Sequence, residues 1–141
     1  MVHQSGEKHL DSLQKSYAKE NIQGELLTFI EDMARRYAEA DLVICRAGAM
    51  TIAELSAGGM ASVLVPFPHA VDDHQTANAR FLAGNDAAIL LPQAALTPEK
   101  LSGLLKTLDR PTLLAMARKA RTLGKPEATR VVADRCAELA R

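Results

Sequence analysis

The 141-residue sequence predicts an α/β domain with a parallel sheet and a helical C-terminal appendage. Three observations carry that prediction. Leu-Val-Ile-Cys at 42–45 and Ala-Ser-Val-Leu-Val at 61–65 are short, unbroken apolar runs, the pattern of strands buried on both faces of a parallel sheet. Between them lie a glycine turn and a segment with helical spacing, the alternation that defines the α/β class. From Thr97 onward only helical patterns remain, so residues 1–95 are read as the core of one domain and 96–141 as its appendage.

Taken in order, Met-Val-His-Gln-Ser-Gly at 1–6 reads as the end of a strand and a turn, entered as though its first half were absent. Leu10, Leu13 and Tyr17, three and four apart, predict an amphipathic helix over 7–20. Residues 25–30 form a short strand. Residues 31–39 form a brief helix whose first turn carries Glu31 and Asp32, the acidic start that a helix dipole favours. The strand at 42–45 is followed by Arg46-Ala47-Gly48-Ala49, where Gly48 is expected to take backbone angles that other residues resist. A helix over 50–57 stops at Gly58-Gly59. The strand at 61–65 ends in Pro66-Phe67-Pro68, a helix follows over 73–83, and 87–91 is the last strand. Thr97-Pro98 then caps and opens a helix with the stripe Leu101, Leu104, Leu105 and Leu108. Arg110-Pro111 is expected to break it, a further helix to run over 112–123, and Pro126 to open the final one.

Composition narrows the function classes. With 48% hydrophobic and 24% charged residues the chain can bury a core, and disorder is excluded. The formal net charge is zero, so nucleic acid finds no electrostatic footprint. No apolar run approaches the roughly 20 residues of a membrane span and no signal peptide opens the chain, so a cytoplasmic location is expected. Cys45 and Cys136 are too few and too scattered for a disulfide framework, and the four histidines show no metal-ligand spacing.

The chemistry concentrates between Ala40 and Asn78. A helix beginning after Gly48 at the carboxyl end of a parallel strand offers free N–H groups and a positive dipole end to phosphate. Glu54, one turn into that helix, can accept hydrogen bonds from a diol such as ribose. His74, Gln75 and Asn78 open the next helix at the same sheet edge, where ligands of open α/β sheets gather. Together these point to a nucleotide-sugar pocket. Each also has a plainer reading: Gly48 a tight turn, Glu54 a solvated residue, Ile30 a core side chain, His74 and Gln75 polar residues at a helix start, Asn78 a residue that holds the loop. Asp72 and Asp73 read as capping acids rather than the carboxylate pair of a glycosidase. Arg46 suits structural pairing as well as a donor phosphate, and His69 reads as a loop residue.

Two segments are specific in this order and spacing: Cys-Arg-Ala-Gly-Ala-Met-Thr-Ile-Ala-Glu at 45–54 and Asp-His-Gln-Thr-Ala-Asn-Ala at 73–79. With His3-Gln4-Ser5-Gly6 and Phe29-Ile30-Glu31-Asp32-Met33, they resemble the C-terminal part of the MurG family of bacterial peptidoglycan N-acetylglucosaminyltransferases over nearly the whole chain. The resemblance implies the Rossmann-like, donor-binding C-terminal domain of a GT-B glycosyltransferase that is inverting and needs no metal or other cofactor. It implies that UDP-N-acetylglucosamine lies against Ala49, Met50, Thr51, Ile52, Ala53 and Glu54. Glu54 would hold the ribose hydroxyls, the backbone of Ile30 the uracil edge, and His74 and Gln75 the sugar.

It further implies that the domain is truncated at its N-terminus. The acceptor-binding domain, the catalytic base, a Gly-Gly-Ser diphosphate loop and the patch that meets the membrane and the lipid-linked acceptor would all lie outside this chain. No catalytic residue is therefore expected within it, and no transfer by it alone; the whole protein would sit on the cytoplasmic face of the inner membrane. The nearest rival is the donor domain of another GT-B enzyme, a glycolipid synthase or a UDP-sugar 2-epimerase. The rival from another class is a non-enzymatic nucleotide-binding module, against which stands the absence of Gly-x-Gly-x-x-Gly after an early strand.

Overall fold

The computed structural model describes residues 1–140, with the side chain of Val71 left aside. The chain forms two compact units, Met1–Arg36 and the residues from Tyr37 onward.

In the first unit β1 (Val2–Gln4) pairs in parallel with β2 (Glu25–Leu27), Gln4 opposite Leu27. The crossover between them is a 3-10 turn (Glu7–His9) leading into α1 (Leu10–Lys19). Ser5 and Gly6 continue the ladder by donating to the carbonyls of Leu27 and Thr28 at 3.0 and 3.1 Å. The strand predicted to reach Ile30 therefore ends at Leu27, and Thr28 to Ile30 leave the sheet as a loop tied to its edge. The next helix, α2 (Met33–Glu39), starts two residues later than predicted. Its expected acidic first turn is thus the approach to the helix instead. Asp32 accepts the Arg36 N–H through its carbonyl at 3.1 Å, while its carboxylate takes the Arg36 guanidinium at 3.2 Å. The same guanidinium grips Glu25 with both oxygens, at 2.7 and 2.6 Å, and holds that carboxyl below its ordinary range.

In the second unit β3 (Val43–Cys45), β4 (Ser62–Leu64) and β5 (Ile89–Leu90) form a parallel sheet with β4 in the middle. Alternation along β4 builds two cores. Leu64 joins Ile52 and Leu55 of α3 (Ala49–Gly58), Ala79 and Leu82 of α4 (His74–Ala83), and Ala120 of α6 (Arg110–Leu123). Val63 faces the other way with Val65 and Leu91, covered by Leu101 and Leu104 of α5 (Pro98–Thr107) and by Leu108 just after it. Leu55, Leu64 and Leu82 are wholly buried, each contributing about 1.5–3 kcal/mol. The last helix, α7 (Ala128–Leu139), buries none of its residues.

Three sequence expectations are corrected here. Only β4 is buried on both faces; β3 is an edge strand whose Ile44 is exposed. The break expected at Arg110-Pro111 falls at Leu108-Asp109 instead: Pro111 sits in the first turn of α6, where its missing N–H costs nothing, and Asp109 caps that turn by accepting from Thr112 N–H at 2.9 Å. Gly48 has φ −63° and ψ 150°, open to any residue. In this unit the glycine at positive φ is Gly59 (φ 67°), which closes α3 where a Cβ would lie 3.1 Å from Arg121 Cβ.

Candidate functional site

The second unit places the carboxyl end of β3, the start of α3 and the start of α4 side by side. After Cys45 the chain turns through Arg46, Ala47 and Gly48 into α3. The first bond of the helix runs from Ile52 N–H to the Gly48 carbonyl at 3.0 Å. The N–H groups of Ala49, Met50 and Thr51 accordingly have no acceptor within the helix, and no side chain caps it. Neither conformation nor crowding demands glycine at 48: a Cβ there would meet only Thr51 Oγ1, at 3.6 Å.

The turn is held from two sides. Gln75 Oε1 accepts from Ala47 N–H at 3.3 Å and from Phe67 N–H at 3.0 Å, so one amide oxygen joins the β3–α3 turn to the loop after β4. Asn78 Nδ2, one turn further along α4, donates to the Ala47 carbonyl at 3.0 Å. Both backbone groups of Ala47, which is fully buried, are thereby matched by α4 side chains. Arg46 Nη1 donates to the carbonyls of Val65 and Pro66, both at 3.2 Å, and its guanidinium lies 5.5 Å from the Phe67 ring centre. This is the structural pairing that sequence left open for Arg46.

Other predicted residues distribute unequally. Ala49, Met50 and Ala53 are exposed at the start of α3, Met50 with 73% of its surface open, whereas Ile52 is built into the core and its N–H is spent inside the helix. Glu54 is exposed, and its Oε2 accepts from the Tyr37 hydroxyl at 3.3 Å. His74 is exposed at the first position of α4. Asp73, at the N-cap position, makes no capping bond with its side chain. Both Asp72 (φ 51°) and Asp73 (φ 50°) are left-handed, so the expected capping role gives way to that of a tight bend, which aspartate tolerates. His69 packs edge-on to Phe67 in the same loop. Ile30 belongs to the first unit, where its N–H donates to Gln4 Oε1 at 2.8 Å. A base that took that N–H would take it from Gln4.

Sequence reasoning missed Tyr37 and Gln4, and treated Gln75 only as a sugar contact. Hydrogen bonds that reach 17 or 26 residues along the chain, the first between two side chains and the second from a backbone N–H to a side chain, leave no periodic trace. Among the described residues, no group of three or more His, Cys, Asp or Glu side chains is placed to hold a metal ion, and no helix is long and apolar enough to cross a membrane.

Residues 1–134 match the glycosyltransferase family 28 C-terminal domain. The chain belongs to this family. Among family 28 relatives, it is 61% identical over 140 residues to the UDP-N-acetylglucosamine--N-acetylmuramyl-(pentapeptide) pyrophosphoryl-undecaprenol N-acetylglucosamine transferase of Azoarcus sp. (strain BH72), covering 99% of this chain and 39% of that protein. The transferase of the same name from Nitrosospira multiformis is 56% identical over 139 residues, again 99% of this chain and 39% of the relative. The chain thus spans about two fifths of the length of the curated relatives it matches. The crystal structure of Acinetobacter baumannii MurG superposes with a TM-score of 0.88 at 49% identity, over 94% of this chain and 41% of that one. A kitacinnamycin glycotransferase superposes at 0.58 with 22% identity, over 79% of this chain and 29% of its own, a likeness of fold alone.

Proposed function

We propose that this family 28 domain is the UDP-N-acetylglucosamine-binding part of an inverting glycosyltransferase. The whole protein would transfer N-acetylglucosamine to undecaprenyl-pyrophosphoryl-muramoyl-pentapeptide in peptidoglycan synthesis. The observation that carries the reading is the uncapped start of α3, held in place by Gln75 and Asn78, with the Glu54 carboxylate a turn beyond it.

In this reading the N–H groups of residues 49–51 receive the diphosphate and the positive helix end stabilises the departing UDP, without a metal. The Glu54 carboxylate accepts from the ribose diol, and the backbone of Ile30 meets the uracil edge. Oε1 of Gln75 is occupied by two backbone donors, so its NH2 is the group offered to a sugar hydroxyl, beside His74. The acceptor hydroxyl needs a base and a second binding surface, because inverting transfer requires the nucleophile poised opposite the leaving group. Those parts lie in the remainder of the protein, which also meets the lipid-linked acceptor at the cytoplasmic face of the membrane. This chain alone is accordingly expected to bind donor without transferring the sugar.

An amide NMR titration tests the proposal, with UDP, UDP-N-acetylglucosamine and GDP as ligands and Glu54→Ala as control. Shifts should cluster at Ile30, residues 49–54 and Gln75 for the uridine ligands, and collapse in the variant. Equal responses to GDP, or none at saturating UDP in a well-dispersed spectrum, would refute it.

A further inference from the structure

The clamp on Ala47 fixes the turn of the site, but Glu54 stands on an exposed helix face and needs support of its own. We infer that Tyr37 is a positioning residue: its hydroxyl holds the Glu54 carboxylate in the orientation that accepts a ribose diol, and thereby sets how strongly the pocket selects ribose hydroxyls. The inference rests on the donor-site reading above and adds to it a residue that does not itself touch the nucleotide.

The two ends of this hydrogen bond are unlike in freedom. Tyr37 is half-buried on α2, its ring packed against the core cluster that contains Ile52, Leu55 and Ala47. Its hydroxyl therefore projects from a fixed base. Glu54 is an exposed glutamate with three rotatable side-chain bonds, and by itself would sample many rotamers. A carboxylate only accepts, so in the 3.3 Å contact the tyrosine is the donor and Oε2 the acceptor. That bond uses one lone pair of Oε2 and leaves the Oε1 lone pairs for a diol. Burial, followed by the nearby Glu54 charge, pushes the Tyr37 phenol up to about 12, so the donor keeps its proton throughout the neutral range. Binding to a carboxylate already held in place avoids the ordering cost that a mobile one would impose.

Tyr37→Phe keeps the ring and removes only the hydroxyl. Binding of UDP and of 2′,3′-dideoxy-UDP to the 141-residue chain is measured by calorimetry for wild type, Glu54→Gln and Tyr37→Phe, with circular dichroism to compare folding. Wild type should prefer UDP, and Glu54→Gln should abolish most of that preference. Tyr37→Phe should cut the preference by about threefold to tenfold, the range of one net hydrogen bond, with dideoxy-UDP affinity unchanged. Undiminished preference in Tyr37→Phe while Glu54→Gln loses it would overturn the inference and spare the reading of Glu54. Equal weakening of both nucleotides by Tyr37→Phe would assign the tyrosine to packing alone and also overturn it. Wild type that binds neither nucleotide, or Glu54→Gln that discriminates as wild type does, would overturn the donor-site reading and the inference with it.

Discussion

The clamp around Ala47 makes an unusually sharp prediction, because its two members use opposite ends of the same functional group. Gln75 accepts through its oxygen, whereas Asn78 donates through its nitrogen. Converting each amide to the isosteric acid should therefore have opposite consequences. In Gln75→Glu both acceptor contacts survive, strengthened by charge, and stability should stay within about 0.5 kcal/mol of wild type. In Asn78→Asp the donor is lost and a carboxylate oxygen is set against the Ala47 carbonyl, 3.0 Å from the old nitrogen, on a residue with no solvent exposure. Leaving that acceptor unpaired costs about 1–3 kcal/mol. With a urea slope of about 2 kcal/mol per molar, the midpoint of Asn78→Asp should fall by roughly 0.5–1.5 M while that of Gln75→Glu barely moves. Urea denaturation at neutral pH followed by circular dichroism reads both. Equal losses, or a greater loss in Gln75→Glu, would refute the assignment of which amide end faces Ala47. UDP-N-acetylglucosamine affinity should fall in Gln75→Glu despite its stability, because the NH2 donor has become a carboxylate.

Further expectations follow from packing and burial. Ser62 Oγ is buried with no hydrogen-bond partner, so Ser62→Ala should leave stability unchanged or raise it by about 1 kcal/mol, again by urea denaturation; a loss of that size would mean the hydroxyl is satisfied. A Cβ on Gly124 would lie 2.7 Å from the Ser56 carbonyl oxygen and 3.0 Å from Ala57 Cα, all backbone, so Gly124→Ala should cost about 1–3 kcal/mol in thermal or urea melts. Burial pushes the Cys45 thiol up to about 11, above the 9.0 of a free thiol, so at pH 8 it carries less thiolate than an ordinary cysteine and gains it only as pH climbs towards 11. Iodoacetamide followed by mass spectrometry should therefore label exposed Cys136 first, and label Cys45 only on denaturation or at high pH.

The sequence was most legible where periodicity carries physical meaning. Of the stripe Leu101, Leu104, Leu105 and Leu108, all but Leu105, which stays exposed, cover one sheet face, and Thr97-Pro98 does cap and open α5. It was least legible where one residue type serves two ends. Pro111 was read as a breaker because prolines stop helices, but in the first turn they start them. Ile44 was read as buried because an apolar run does not reveal whether its strand is central or at an edge. Within the site, the Gly48 turn, Glu54 and the Gln75–Asn78 pair were all located by motif. Asn78 does hold a loop, as its plainer reading had it, but Gln75 emerged as a second buttress of Ala47 only when α4 could be placed against the turn. Asp72 and Asp73 show the same limit, since acids before a helix usually cap it, and here the left-handed bend removes Asp73 from that geometry.

The seating of α3 has a mechanical consequence. Its C-terminal half is anchored: Gly59 closes the helix against Arg121, Gly124 abuts the Ser56 carbonyl, and Met60 N–H bonds the Leu55 carbonyl at 2.9 Å. Its N-terminal end carries no cap. The helix is fixed by packing at its C-terminal end and by the clamped Ala47 turn at its start, where the first N–H groups carry no side-chain cap. The contacts that anchor the C-terminal half thus lie away from the N–H groups at the start of the helix. Stability can then be raised at the α3–α6 junction without crowding the start of α3.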